Sequence, residues 1–245
     1  MHPDQNGLKE GEVRFILSLR ATGEGHISSM KFISGIFSEA GEITLEPIPS
    51  KLARGYKTNN GKYPKDFVIK RAEYYNDFNT SVFEYLPEQF SIKEAKKLKF
   101  NVAERIQNNY TATNKALRNI FDSNYDISFD KGTAPGSRVI FPVSEEELGG
   151  MEDVRFVKFS DQDKTSFIGT YTAFDGKKIV PKIIETKDFI SFSIRSLYGK
   201  AALDKGMALF PEKINGKYAM ISRQGGENIT ILNGKSLPYF SLILC

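Results

Sequence analysis

Between residues 153 and 195 the chain offers four strand-like runs in succession: "DVRFVKF", "SFIGTYTAF", "KKIVPKIIET" and "DFISFSIR". Their spacing is roughly the 8–12 residues at which short strands follow one another in sandwiches, barrels and propellers. Strand signals dominate the chain, and this rhythm is that of an all-β meander. Asp175-Gly176, between the second and third runs, predicts a two-residue hairpin with positive φ at both central positions. Four antiparallel strands in sequence make one propeller blade, although a sandwich shares the pattern.

Elsewhere the period changes. "VRFILSLR" (13–20) alternates Val13, Phe15, Leu17 and Leu19, which predicts a half-buried strand with those four inward. "FSIKEAKKLKFNVAERI" places Ser91 three residues before Glu94, a capping box, and then repeats Ala95, Leu98, Val102 and Ile106 at helical spacing. A second helix is expected around 114–121. Together they read as a helical hairpin over 88–125 inserted in a β protein, with the apolar stripe packed on the strands. With 40% hydrophobic and 12% aromatic residues, 245 residues can bury a sizeable core, read here as one domain over 1–245.

Composition removes several functions. The charge of +4 comes from 34 basic against 30 acidic residues, too even for a nucleic-acid surface, and the densest basic run, "KEAKKLKF", fits the wet face of a helix. The single cysteine, Cys245, and two distant histidines, His2 and His26, supply neither a disulfide framework nor a zinc site. No signal-peptide pattern and no run of eighteen apolar residues is present, which predicts a cytoplasmic protein without a membrane partner.

The chemistry is carried by short motifs. In "GGMEDVRFVKF" (149–159), Glu152, Asp153 and Arg155 crowd the entrance of a strand. That is either a surface ion cluster or an acid held at the mouth of a sheet. "RATGEGHISS" (20–29), "GMEDVRFV" (150–157), "YTAFDG" (171–176) and "DKGMALFPEKINGKYAMISRQ" (204–224) together resemble glycoside hydrolase family 130, five-bladed β-propeller enzymes that break β-mannosidic bonds, mostly by phosphorolysis. The likeness runs from about residue 12 to about residue 228.

The resemblance implies a role for each matching residue. Asp153 falls on the family's general acid, and Arg155 on the arginine that orients it or holds the sugar, with Val154 where the family usually has proline. Arg20 falls on the mannose site of the first blade, and Glu24, His26, Glu152 and Tyr171 are further substrate-binding candidates. His26 is read equally as a sugar ligand or a strand-end structural group, and Tyr171 more as blade core than as a stacking platform. Lys205 and Arg223 fall on or near phosphate-gripping positions, although Gly206 stands where a polar residue is usual.

The implied partners are a β-mannoside oligosaccharide and inorganic phosphate as co-substrate, with no cofactor and no metal; homo-oligomer formation stays open. A phosphorylase needs one proton donor because phosphate is the nucleophile. An inverting hydrolase needs a second carboxylate about 6.5–9.5 Å away, for which Glu152, Asp175 and Glu24 are the candidates. A non-catalytic carbohydrate-binding remnant is the third reading. At roughly fifty residues per blade, the expected fold is all-β, an incomplete propeller of about three to four blades with the helical insertion. The apolar tail "LNGKSLPYFSLILC", with Pro238 inside it, reads either as an aggregation-prone edge or as a sequence that is not the natural continuation of the family pattern.

Overall fold

A computed structural model of the chain describes residues 2–58, 62–91, 93–95, 97, 109–199, 201–225, 228–237 and 239–242. The first nine strands are β1 (Val13–Thr22), β2 (Ser28–Phe37), β3 (Ile43–Leu45), β4 (Ala53–Arg54), β5 (Tyr56–Thr58), β6 (Lys62–Pro64), β7 (Gln89–Ser91), β8 (Tyr125–Ser128) and β9 (Arg138–Ile140). The meander and the strands C-terminal to it are β10 (Gly150–Asp161), β11 (Lys164–Phe174), β12 (Ile179–Thr186), β13 (Ser191–Ser196), β14 (Ala208–Leu209), β15 (Tyr218–Gln224), β16 (Asn228–Ser236) and β17 (Tyr239–Leu242). Helices α1 (Lys65–Ala72) and α2 (Tyr110–Ser123) lie between β6 and β8.

The four predicted strands form as read, β10 to β13 pairing antiparallel in chain order. They are the centre of a larger sheet, ordered β4-β9-β2-β10-β11-β12-β13-β8-β5, with β1 and β3 attached to β2. A second meander, β14-β15-β16-β17, stands apart as a four-stranded sheet. Among the described residues 46% are strand and 19% helix, consistent with an all-β, propeller-like fold. Where the resemblance implies separate blades, β8 and β5 extend the first meander, because Ile127 and Tyr125 carry the apolar face of β13 onward into the same core.

Three cores hold this together. Phe32, Tyr125, Ile184, Phe189 and Phe192 lead the one on the main sheet, with Phe32 stacked on Phe192 at 5.5 Å and meeting Phe189 edge-on at 5.6 Å. A second lies between the helices, the turn Thr80–Tyr85 and Tyr198. The third joins Phe159, Ile168 and Ile183 of the meander to Met220 and Leu232 of the second sheet. Each fully buried side chain of this size stabilises by about 1.5–3 kcal/mol relative to exposure.

Four sequence readings need correction or extension. The alternation in β1 is right but its sense is inverted: Val13, Leu17 and Leu19 are 37–46% exposed, and Ile16 packs on the main core. Among the described residues β1 pairs with β2 alone, at the rim of the sheet, and Val13, Leu17 and Leu19 are left to solvent. At the β11–β12 hairpin the turn is displaced by one residue. Only Gly176 has positive φ (+102°), while Asp175 Oδ1 accepts from the amides of Lys177 (2.7 Å) and Lys178 (2.6 Å) and so acts as a turn cap. The helical layer takes in α1, upstream of residue 88, and α2 spans more than the predicted 114–121. Finally, β16 is a paired strand whose Leu232 is fully buried, so the tail is integrated at least that far.

The Ser91–Glu94 capping box is present. The Ser91 amide donates to Glu94 Oε2 at 2.7 Å and the Glu94 amide donates to Ser91 Oγ at 3.2 Å. The rest of the expected first helix, with Leu98, Val102 and Ile106, lies outside the described residues.

Candidate active site

The acid pair sits on a β-bulge. In the β10–β11 ladder Glu152 opposes Thr172 and Arg155 opposes Thr170, so Asp153 and Val154 face Tyr171 alone. The extra residue needs a turn of the backbone, and Asp153 supplies it at φ +54°, a left-handed conformation that Asp tolerates better than most residues. The bulge turns the Asp153 side chain out of the alternating pattern and leaves it exposed, while Val154 packs on the main core.

Gly150 brings the first hairpin alongside. It pairs with Ser28 at φ +132°, and a Cβ there would lie 2.8 Å from the Ser28 nitrogen. This close approach lets Arg20 of β1 reach β10: its Nε donates to Ser28 Oγ at 2.7 Å and its Nη2 to Glu152 Oε1 at 2.8 Å. Arg20 and Glu152 are thus joined next to Asp153. Arg155, two positions beyond Asp153, is exposed. Glu24 and His26 occupy the exposed turn at the tip of the same hairpin, where Gly25 (φ +72°) and His26 (φ +60°) are both left-handed.

Lys205 comes to the acid from the other side. A cavity of about 10 Å³, about the size of one water, is lined by Asp153, Lys205, Gly206 and Met207 together with Thr170, Tyr171 and Thr172 of β11 and Pro181 of β12. Thr170 Oγ1 donates to the Met207 carbonyl at 2.6 Å and docks the 204–207 loop on β11. Arg223 is exposed on β15 opposite Ile229 and, among the described residues, is not part of that lining.

Tyr171 is core, not platform: it is buried, and its hydroxyl donates to Glu147 Oε1 at 2.6 Å. Burial pushes this phenol, and that of Tyr125, well above the usual tyrosine range.

Beneath the bulge lies a buried ion network that sequence reasoning missed. Lys182 and Glu147 are both fully buried and meet at 3.0 Å; Lys182 Nζ also donates to the Ser123 carbonyl at 2.9 Å and lies 3.2 Å from Glu146 Oε2. Glu146 in turn binds Arg71 of α1 at 3.0 Å and accepts from Ser196 Oγ at 2.9 Å. Glu147 further accepts from Tyr125 Oη at 2.8 Å and from the Val143 and Ser144 amides at 3.1 Å. Burial pushes the Glu147 carboxyl up, but Lys182, Tyr171 and the Val143 amide outweigh it and hold the group at about 2. Because Tyr171 is the residue opposite the bulge, this network fixes β11 where Asp153 is displayed. Two signals in the letters point to it: the Ser144–Glu147 capping box and a lysine inside the apolar run "IVPKII".

Among the described residues no three His, Cys, Asp or Glu side chains cluster so as to hold a metal ion. No family model matches the chain, and no curated protein matches it. Among solved structures it is similar to a β-1,2-mannobiose phosphorylase from Listeria innocua in complex with β-1,2-mannobiose (TM-score 0.36, 15% identity, covering 96% of this chain and 60% of that one). A glycoside hydrolase of the GH130 family of mannoside phosphorylases, targeting β-1,2-mannosidic linkages in Candida mannan, matches with TM-score 0.43 and 12% identity, covering 97% of this chain and 47% of that one. A glycosyl hydrolase from Bacteroides ovatus matches with TM-score 0.43 and 11% identity over the same shares, 97% and 47%. The chain spans 47–60% of the length of these structures.

Proposed function

We propose that this chain carries the acid side of an inverting β-mannoside phosphorylase site, with Asp153 as the proton donor. The observation that supports this most directly is that Asp153, displayed by a bulge, shares a cavity with Lys205 and stands next to the Arg20–Glu152 pair. In the reaction the Asp153 carboxylic acid gives its proton to the glycosidic oxygen as the bond from that oxygen to the anomeric carbon breaks. A phosphate oxygen attacks that carbon from the opposite face, yielding α-mannose 1-phosphate and the shortened acceptor sugar. The dianion needs cationic partners. Lys205 lines the cavity, and Arg155, together with Arg20 Nη1, has no ion-pair partner among the described residues.

A phosphorolytic rather than hydrolytic course is supported by the state of the other carboxylates. Glu152 is held by the Arg20 guanidinium and Asp175 by two turn amides, so neither is a free base for water. Glu24, exposed on the hairpin tip, is the carboxylate left to a hydrolase.

Product analysis on manno-disaccharides, with and without orthophosphate, tests the proposal. The expected result is mannose 1-phosphate formed only with phosphate and lost in Asp153→Asn. Free mannose released regardless of phosphate, and lost in Glu24→Gln, would replace it with hydrolysis. Absence of both products, in a protein that still folds, would remove the enzymatic reading.

A further inference from the structure

On the far strands of the meander, away from Asp153, lies a cleft of about 650 Å³, continuing into a second hollow of about 530 Å³. The two share Glu185, Ser193 and Arg195, and neither shares a lining residue with the Asp153 cavity. The floor is a row of polar side chains in register across four strands: Glu185 of β12 pairs with Ser193 of β13, Ser193 with Asp126 of β8, and Asp126 with Thr58 of β5. Adjacent strands stand about 4.8 Å apart, so the row presents a ladder of acceptors and hydroxyls at even spacing. The wall is apolar, from Pro64, Ile183 and Leu237 and from the small exposed parts of Tyr63, Phe67 and Tyr198, whose rings are otherwise buried in the second core.

The electrostatics narrow the ligand. Arg195 is already engaged, donating to Asp126 Oδ1 at 2.9 Å and to the Tyr125 carbonyl at 3.0 Å, with its guanidinium 5.4 Å from the Tyr63 ring. Glu185 is half-buried and its side chain has no hydrogen bond or ion pair among the described residues, while at the edges Asp66 and Asp188 are matched by Lys70 and Lys187, which leaves Glu185 to set the charge of the floor. An anion is therefore disfavoured. The floor strands β12, β13 and β8 are paired on both sides, so no peptide can add to them by backbone hydrogen bonds. What fits is an uncharged molecule with hydroxyls for Glu185, Ser193 and Thr58 and an apolar C–H face for the apolar wall.

We infer that this cleft is a second, non-catalytic binding site for a neutral saccharide of two or more sugar units. It does not depend on the reaction assigned to Asp153. The test is titration of the full chain with β-mannobiose and cellobiose, followed by calorimetry and by ligand-observed NMR, in wild type, Asp153→Asn, Glu185→Ala and Thr58→Ala. The expected result is binding that survives Asp153→Asn and weakens about tenfold or more in Glu185→Ala, with a smaller loss in Thr58→Ala. Thermal midpoints unchanged in both cleft variants keep the loss local. The inference is overturned if neither disaccharide binds, if binding is lost in Asp153→Asn and kept in Glu185→Ala, or if putrescine, a diamine probe, occupies the cleft in preference to the sugars. Mannose 1-phosphate formation that persists in Glu185→Ala separates this site from the catalytic one.

Discussion

Replacing Lys182 by Met tests the physical basis of the site's scaffold. The substitution keeps length and apolar stem but removes the ammonium that lies 3.0 Å from Glu147 and 3.2 Å from Glu146. In the native protein the Glu147 carboxyl is held at about 2 against an ordinary 4.5, equivalent to about 3 kcal/mol in favour of the folded state at neutral pH. That stabilisation is complete above pH 4.5 and is lost as pH falls from there toward 2, because the unfolded chain then binds the proton first. Without Lys182 burial becomes the dominant influence, the Glu147 carboxyl moves above its unfolded value, and the slope reverses. The contribution is then present in acid and lost as pH rises. Breaking a fully buried pair from one side costs about 3–5 kcal/mol, a large fraction of the 5–15 kcal/mol typical of a domain. Urea denaturation at pH 7 and at pH 4 measures both the size and the slope. A Lys182→Met protein within about 1 kcal/mol of wild type at pH 7, or one with the native pH slope, would refute the reasoning. Adding Glu147→Gln to Lys182→Met is expected to recover part of the loss, since the two residues are in contact.

Three further outcomes rest on the geometry. At position 153, φ +54° suits Gly and strains a β-branched residue, so Asp153→Val should be about 1–3 kcal/mol less stable than Asp153→Gly by thermal melting, while both lose turnover. Leu232→Ala should cost about 2–5 kcal/mol in urea unfolding because Leu232 fills the core between the two meanders; a loss below about 0.5 kcal/mol would mean β16 does not pack there. Arg20→Ala should change stability by less than about 1 kcal/mol, as expected of a half-exposed ion pair, yet markedly lower mannose 1-phosphate formation in the product assay, because it removes a cation beside Asp153.

The meander was legible because its signal is local: period-two alternation and turn residues fix β10 to β13 without reference to the rest of the chain. The motif around Asp153 stood out in the letters; in the structure Arg20 pairs with its neighbour Glu152, and Lys205 lines the same small cavity as Asp153. The bulge that aims Asp153 was not, since a one-residue insertion leaves the letters looking like an ordinary strand. The inward sense of β1 was misread for the same local reason: alternation says that two faces differ, and only the neighbouring layer decides which is covered. Tyr171 went to the core because its partner, Glu147, sits in "SEEELGG", a string whose composition reads as a solvated turn. Burial of an acid is decided by counter-charges distant in sequence, here Lys182, and for the neighbouring Glu146 also Arg71.

That dependence has a bearing on how the molecule is made. Arg71 leaves the ribosome well before Glu146 and Lys182, so α1 enters the nascent chain with a cation destined for the interior and nothing yet to neutralise it. The helical layer therefore has reason to stay loosely docked until the central meander is synthesised. A chain halted before β12 would lack Tyr198, which packs edge-on against Phe67, and would present that flank of the helical core to its surroundings as sticky surface, a substrate for chaperones rather than a folded half.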